Sequence, residues 1–289
     1  MELLQEHIDG FFYYVKERQN ILLKRRAGKA PPWTDDPIIA GFRFCNVFRE
    51  DDKVTTWYRE NIRLPMQDGK PGDLVFATIA MRLFNLEATV QKLLDAKLLT
   101  KWDTAKAKAA VSELQPVVNA AYIVIGRPGM PKGEGICEIL GTIWPERHKL
   151  AAAIIEANSI EKAVELLADF ERMGHFLGYE VATDLRHTPI LGNATDVMTW
   201  ANPGPGAARG LSRMIGEHKK FFNRNGKEDR ATMFGLMQEL LKLSQKAKYW
   251  PKKWQAWEMR DVEHALCEYD KYLRAKTGEG RPKQLYRPE

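Results

Sequence analysis

Apolar residues recur at threes and fours along most of this chain, and that period commits it to helices packed on helices. From about Leu3 to Arg26, Phe11, Phe12, Val15, Ile21 and Leu22 stand among many charges, and Ala30-Pro31-Pro32-Trp33 closes the run. Asp73 suits the N-cap of a long core helix from Leu74 to Leu99, where Phe76, Ile79, Ala80, Leu83 and Phe84 repeat at helical spacing. A further helix is expected from Thr104 to about Val118. Ser159 is expected to cap one running through Phe170, and Phe176 to Leu185 makes the next. The pattern continues through Asp196 to Ala201, Ala207 to Phe221, Arg230 to Ala247 and Trp257 to Ala275. Tyr122-Ile123-Val124-Ile125 is the one β-like run, so the expected fold is mainly α with at most a small β element. No repeat of 20–50 residues is visible. The expectation is one helical domain over residues 1–280, any division into two lobes falling near 126–145, followed by a basic extended tail at 281–289.

With 289 residues and 44% hydrophobic content, the chain can bury a substantial core. A net charge of +6 suits a polyanion partner without requiring one. Cys45, Cys137 and Cys267 are isolated, with no C-x-x-C pair, which argues against a zinc ribbon, an iron–sulfur cluster or a disulfide framework. No apolar run approaches the roughly 18 residues of a membrane span, and the first 25 residues are charged and aromatic rather than signal-like. A soluble intracellular protein is expected. There is no H-E-x-x-H and no G-x-S-x-G, and the glycine-rich turn from Gly126 to Gly135 lacks the Gly-Lys-Ser/Thr ending of a phosphate-binding loop. Zinc protease, α/β-hydrolase and kinase chemistries are thereby disfavoured.

The segment Asn202-Pro203-Gly204-Pro205-Gly206-Ala207-Ala208-Arg209-Gly210-Leu211 places a Pro/Gly turn between two stretches of helical period, the pattern of a helix-hairpin-helix. Gly204 and Gly206 can adopt positive φ or admit another backbone, and the amides opening the following helix suit a nucleic-acid phosphate. Arg209 and Arg213, four residues apart, would flank that phosphate. An ordinary helix end followed by a proline-rich turn fits the same residues.

Three further clusters could carry chemistry. In Phe42 to Asp52, the apolar Phe42, Phe44, Val47 and Phe48 can anchor a segment that presents Arg43, Asn46, Arg49 and Glu50 near Trp57. Guanidinium groups bind phosphate bidentately and an asparagine can read a base edge, although a solvated ridge of Arg–Glu pairs explains the run equally well. In Gly178 to Pro189, Tyr179, Ala182 and Arg186 share one helix side while Glu180 and Asp184 align on another. Asp184 is a candidate base; the alternative is a local pair with Arg186. In the last helix, Glu263, Cys267, Asp270 and Arg274 follow one stripe, so one acid can serve a site while the other pairs with Lys271 or Arg274.

Leu23-Lys24-Arg25, Pro32-Trp33-Thr34-Asp35-Asp36-Pro37-Ile38 and Phe44 to Asp52, with Gly178 to Leu185, Asn202 to Ala207 and Glu263 to Lys271, resemble the phage alpha-glutamyl/putrescinyl thymine pyrophosphorylases. The related helical domain of 5-hydroxymethyldeoxyuridine DNA kinases shares the pattern. The resemblance implies a helix-hairpin-helix DNA-glycosylase-like fold and an amino acid:DNA transferase, in which an amine displaces pyrophosphate from 5-pyrophosphorylmethyl-deoxyuridine in phage DNA. Under it, Arg43 and Arg49, with Lys24 or Arg25, would hold pyrophosphate. Asp184 would serve the amine, with Glu263 next in line. Asn46, Trp57, Tyr179, Arg186 and Asp270 would line the substrate, and Gly204, Gly206, Arg209 and Arg213 would bind the DNA backbone. The implied partners are double-stranded DNA with modified thymine, an amino acid or polyamine (glycine, glutamate and putrescine all being open), and an upstream DNA kinase. The implied location is the cytoplasm of an infected bacterium, with no membrane role. No protein metal site is expected, although Mg²⁺ is compatible with pyrophosphate. A base-excising glycosylase and a non-catalytic DNA-binding subunit remain as rivals.

Overall fold

The structure, a computed structural model, describes residues 1–119, 126–280, 282, 285 and 286. It contains fourteen α-helices among those residues: α1 (Gln5–Arg26), α2 (Pro37–Gly41), α3 (Lys53–Tyr58), α4 (Leu64–Met66), α5 (Pro71–Phe84), α6 (Glu87–Asp95), α7 (Thr104–Val111), α8 (Lys132–Ile143), α9 (Arg147–Ala157), α10 (Ile160–Ala168), α11 (Gly174–Leu185), α12 (Pro205–Met214), α13 (Lys227–Ser244) and α14 (Met259–Lys276). The fold is mainly α, as the periodicity predicts. Among the described residues the β content is one isolated antiparallel bridge, Phe42 to Leu285. The β-like run Tyr122-Ile123-Val124-Ile125 lies outside the described residues.

The helices group into two compact units, one formed by residues 1–52 with 197–289 and the other by 53–196. In the first, α1 and α12 pack on α14. Phe11 meets Tyr269 edge-on at 5.6 Å, Tyr14 meets Tyr272 at 5.0 Å, and Phe12 lies 4.7 Å from Tyr249, so the seam is largely aromatic. The α12–α14 contact is built from small residues instead. A Cβ on Gly210 would lie 2.6 Å from the Leu266 carbonyl oxygen, and one on Gly206 would lie 3.2 Å from Cys267 Cα. These glycines let two backbones touch, a role the sequence offered for Gly206; a Cβ on Gly204, the other glycine of that reading, would meet only the Glu263 carboxylate at 3.6 Å, and none of the three has positive φ. The start of α14 is closed by a reciprocal capping box, with Glu258 N–H donating to Asp261 Oδ2 at 2.8 Å.

In the second unit α5 is the axis. All residues from Leu74 to Phe84 are buried, so it is covered on every side and largely apolar, as a helix is when neighbours surround it. Two polar side chains, Thr78 and Arg82, are buried on it among the apolar ones, and the helix is shorter than the expected Leu74–Leu99. Asn85 turns into the left-handed region at φ 46° and accepts the helix end, after which α6 starts at Glu87. Asp73 is not the N-cap. Lys70 occupies that position with Pro71 behind it, and Asp73 pairs instead with Arg147 at 2.8 Å. The helix expected over Thr104–Val118 stops at Val111, short of Pro116, which cannot extend it. Ser159 caps α10 as expected, its Oγ accepting from Lys162 N at 3.2 Å.

Two further corrections concern the hairpin. Asp196 to Ala201 forms turns rather than a helix, because Asp196 spends its carboxylate on the α10 N-terminus, accepting from Ile160 N at 2.7 Å and Glu161 N at 3.0 Å. The Pro/Gly segment therefore opens α12 without a helix immediately before it. In turn, α12 ends at Met214 rather than Phe221, since Gly216 takes φ 75° and stops the run.

Candidate functional site

The Phe42–Asp52 segment forms a loop that is anchored as expected: Phe44, Val47 and Phe48 are buried, with Phe42 half-buried. It folds back on itself through Asn46, whose backbone N–H donates to Asp52 Oδ1 at 3.2 Å and whose side-chain amide donates to the Asp51 carbonyl at 2.9 Å. Asn46 is thus committed to shaping the loop. Arg43 is exposed, while Arg49 is nearly buried. The loop sits on α14, where the Asn46 carbonyl lies 3.2 Å from His264 Nε2 and Cys45 N–H donates to Glu268 Oε2 at 2.8 Å. Burial pulls the Glu268 acid upward, but Lys271 and His264 outweigh it and hold Glu268 below the usual carboxylate range. Desolvation, followed by the charges of Glu268 and Asp52, pushes the Cys45 thiol well above its usual range.

Glu263, one residue before His264, reaches the start of α12. Its Oε1 accepts from Gly204 N–H at 3.3 Å and its Oε2 from Arg260 Nη1 at 2.6 Å. One of the amides proposed for phosphate therefore already has a carboxylate partner. Two turns on, the fully buried Asp270 accepts from Arg209 Nε at 2.9 Å and Arg213 Nε at 3.2 Å, with Arg274 Nε at 3.3 Å. Arg213 also forks onto Glu279 at 2.8 and 2.9 Å, and this bond lowers the Glu279 acid to about 2. Of the two alternatives for an acid on this stripe, Arg274 pairs with Asp270, whereas Lys271 pairs with Glu268 at 2.8 Å. At the end of α1, Lys24 donates to the Trp33 carbonyl at 2.6 Å, and the exposed Arg25 lies over the Trp33 ring at 5.4 Å.

The second unit holds a separate buried polar network. Arg82, 2% exposed, forks onto the fully buried Asp184, with Nη2 to Oδ1 at 2.8 Å and Nε to Oδ2 as the second bond. Its remaining donors reach Thr55 Oγ1 at 3.0 Å and Asn85 Oδ1 at 3.2 Å, and its guanidinium lies 5.8 Å from the Tyr58 ring centre. Tyr58 shares a 2.7 Å hydrogen bond with Thr78, and burial followed by the Asp184 charge raises its phenol pKa. Arg186 donates through Nη1 to the Gly192 carbonyl at 2.8 Å. Tyr179 is buried, and Trp57 half-buried on α3. Arg82 was missed by sequence reasoning. The signal available was a single arginine inside the apolar run Met81-Arg82-Leu83, which burial obliges to find an acid.

Among the described residues, Cys45, Asp52 and His264 are also brought together, their candidate ligand atoms all within 4.8 Å of one another. No linear motif marks them, since His264 comes from another helix far along the chain. No helix among the described residues is long and apolar enough to cross a membrane.

The comparisons with known proteins bear on this architecture as a whole. Residues 5–281 match the family model described as 5-hmdU DNA kinase, helical domain. A 5-hmdU DNA kinase of Bacillus phage SP10 is 30% identical over 225 residues, covering 70% of this chain and 35% of that protein. The match therefore spans about a third of the relative's length. No solved structure matches the chain. With all fourteen described α-helices inside the matched range, the chain belongs to the family of 5-hmdU DNA kinase helical domains.

Proposed function

We propose that this protein acts in hypermodification of thymine in phage DNA, transferring the amine of an amino acid or polyamine onto 5-pyrophosphorylmethyl-deoxyuridine. The supporting observation is family membership across residues 5–281, together with the name of its relative, a kinase of 5-hydroxymethyldeoxyuridine DNA. Phosphorylating a hydroxymethyl group creates a leaving group, and a later enzyme is needed to displace it. In this reaction the amine nitrogen forms a bond to the 5-methylene carbon, the carbon–oxygen bond breaks, and pyrophosphate departs with the electron pair. The ammonium proton must pass to a base before attack.

The first unit holds groups suited to each demand. Arg43 and Arg49 on the loop, with Lys24 or Arg25 behind it, are assigned to the departing pyrophosphate, whose charge guanidinium groups match. Glu263 is assigned the proton, because it stands between that loop's contact on α14 and the opening of α12. Arg209 and the amides after Gly204 are assigned to the DNA backbone. Asp184, in the second unit, is assigned a structural role there, since both its oxygens are held by Arg82 in a buried network. The protein would work in the cytoplasm of the infected bacterium, downstream of a DNA kinase.

The test is to incubate the protein with DNA carrying pyrophosphorylated 5-hydroxymethyl-deoxyuridine and, separately, glycine, glutamate and putrescine, then digest the DNA and weigh the nucleosides. An amine-bearing thymidine with matching pyrophosphate release is the expected result. Abasic sites would make the protein a glycosylase, and unchanged DNA with every amine would leave only a binding role.

A further inference from the structure

Cys45, Asp52 and His264 offer a thiol, a carboxylate and an imidazole, with the three candidate ligand atoms within 4.8 Å of one another. Around a tetrahedral zinc with ordinary bond lengths, such atoms stand about 3.3–3.8 Å apart, so side-chain adjustments on the order of an ångström would close the set. Mixed sulfur, nitrogen and oxygen donors select a borderline ion such as Zn²⁺ and reject Mg²⁺, which demands oxygen.

The surroundings fit the same purpose. Asp52 is held by the Asn46 amide at 3.2 Å, the Cys45 backbone by Glu268 at 2.8 Å, and the Asn46 carbonyl stands 3.2 Å from His264 Nε2. A proton on Nε2 given to that carbonyl keeps the lone pair on the other ring nitrogen, and partners of this kind orient metal-binding histidines. A thiolate and a carboxylate also neutralise a divalent charge. Cys45 is exposed and the other two residues are half-buried, so an ion can enter.

We propose that Cys45, Asp52 and His264 form a three-ligand Zn²⁺ site on the first unit, leaving a fourth position for water or a ligand oxygen. The site stands independently of the transfer reaction and is tested by binding alone. Full-length protein, stripped with chelator, is titrated with Zn²⁺ against a chromophoric competitor, and with Co²⁺ to detect thiolate-to-metal charge transfer. One equivalent per chain and a charge-transfer band are expected. Cys45→Ser should abolish the band, and Cys45→Ser, Asp52→Asn and His264→Ala should each weaken Zn²⁺ binding by roughly 100-fold or more, while Cys137→Ser binds as the parent does. Because a variant can fail to fold, the unaltered protein is also alkylated with iodoacetamide, with and without Zn²⁺, and mapped by peptide mass spectrometry. Zn²⁺ should protect Cys45. Absence of saturable binding, unchanged affinity in folded variants, or equal alkylation of Cys45 under saturating Zn²⁺ would overturn the site.

Discussion

Arg82 and Asp184 show how much one buried residue pair can fix. Two charges with almost no exposure repay their desolvation only by bonding to each other, and this pair adds Thr55 and Asn85 to the same guanidinium. Removing either partner leaves the other charge uncompensated, so Arg82→Met and Asp184→Leu alone should each cost about 3–5 kcal/mol. The double variant, with both charges gone, should cost clearly less than the sum, and denaturant melts of the four proteins measure the coupling. Additive losses would show that the pair is not the partnership the geometry describes. The same cycle tests the structural role of Asp184: a folded double variant that still transfers amine would confirm that Asp184 takes no part in proton transfer.

At the level of elements, α14 organises the first unit, and its start carries a pH signature. Burial raises the Asp261 carboxyl in the capping box to about 7, against the helix N-terminal bonds that oppose it. The folded state then holds a proton between about pH 4 and 7 that the unfolded chain has released. The contribution of this group to stability is therefore complete below that window and is lost as pH rises through about 7. Asp261→Asn keeps an acceptor for Glu258 N–H but cannot titrate, so its stability relative to the parent should rise from pH 4 to 8 by at most ~1.4 kcal/mol per unit. Parallel pH profiles from urea melts would refute it. The glycines on α12 make a second test. Gly210→Ala drives a methyl toward the Leu266 carbonyl oxygen and should destabilise by about 1–3 kcal/mol. Gly235→Ala, on α13 with open space around it and no positive φ, should instead stabilise by roughly 0.5–1 kcal/mol. If both changes act alike, close helix contact is not what Gly210 provides.

Taken as a whole molecule, the chain was legible in its class and in its blocks. The threes-and-fours spacing of apolar residues fixes helices because only one period buries such a stripe, and α1, α10, α11, α13 and α14 lie close to where that spacing places them. Local chemistry was readable too where it acts over a few residues, as with Ser159 at the start of α10. What lay beyond reach was every outcome decided by partners distant in sequence. Asp73 reads as a cap until Arg147 claims it, and Asp196 reads as a helix start until the α10 amides do. Arg209 and Arg213 read as phosphate ligands, and the fold gives them a shared buried partner in Asp270, 61 and 57 residues away. The sequence by itself determined that this protein is helical and basic, because periodicity and charge are sums over residues. Only the tertiary structure decided which charges neutralise each other and that Cys45, Asp52 and His264 meet, because pairing depends on distances that chain order does not encode.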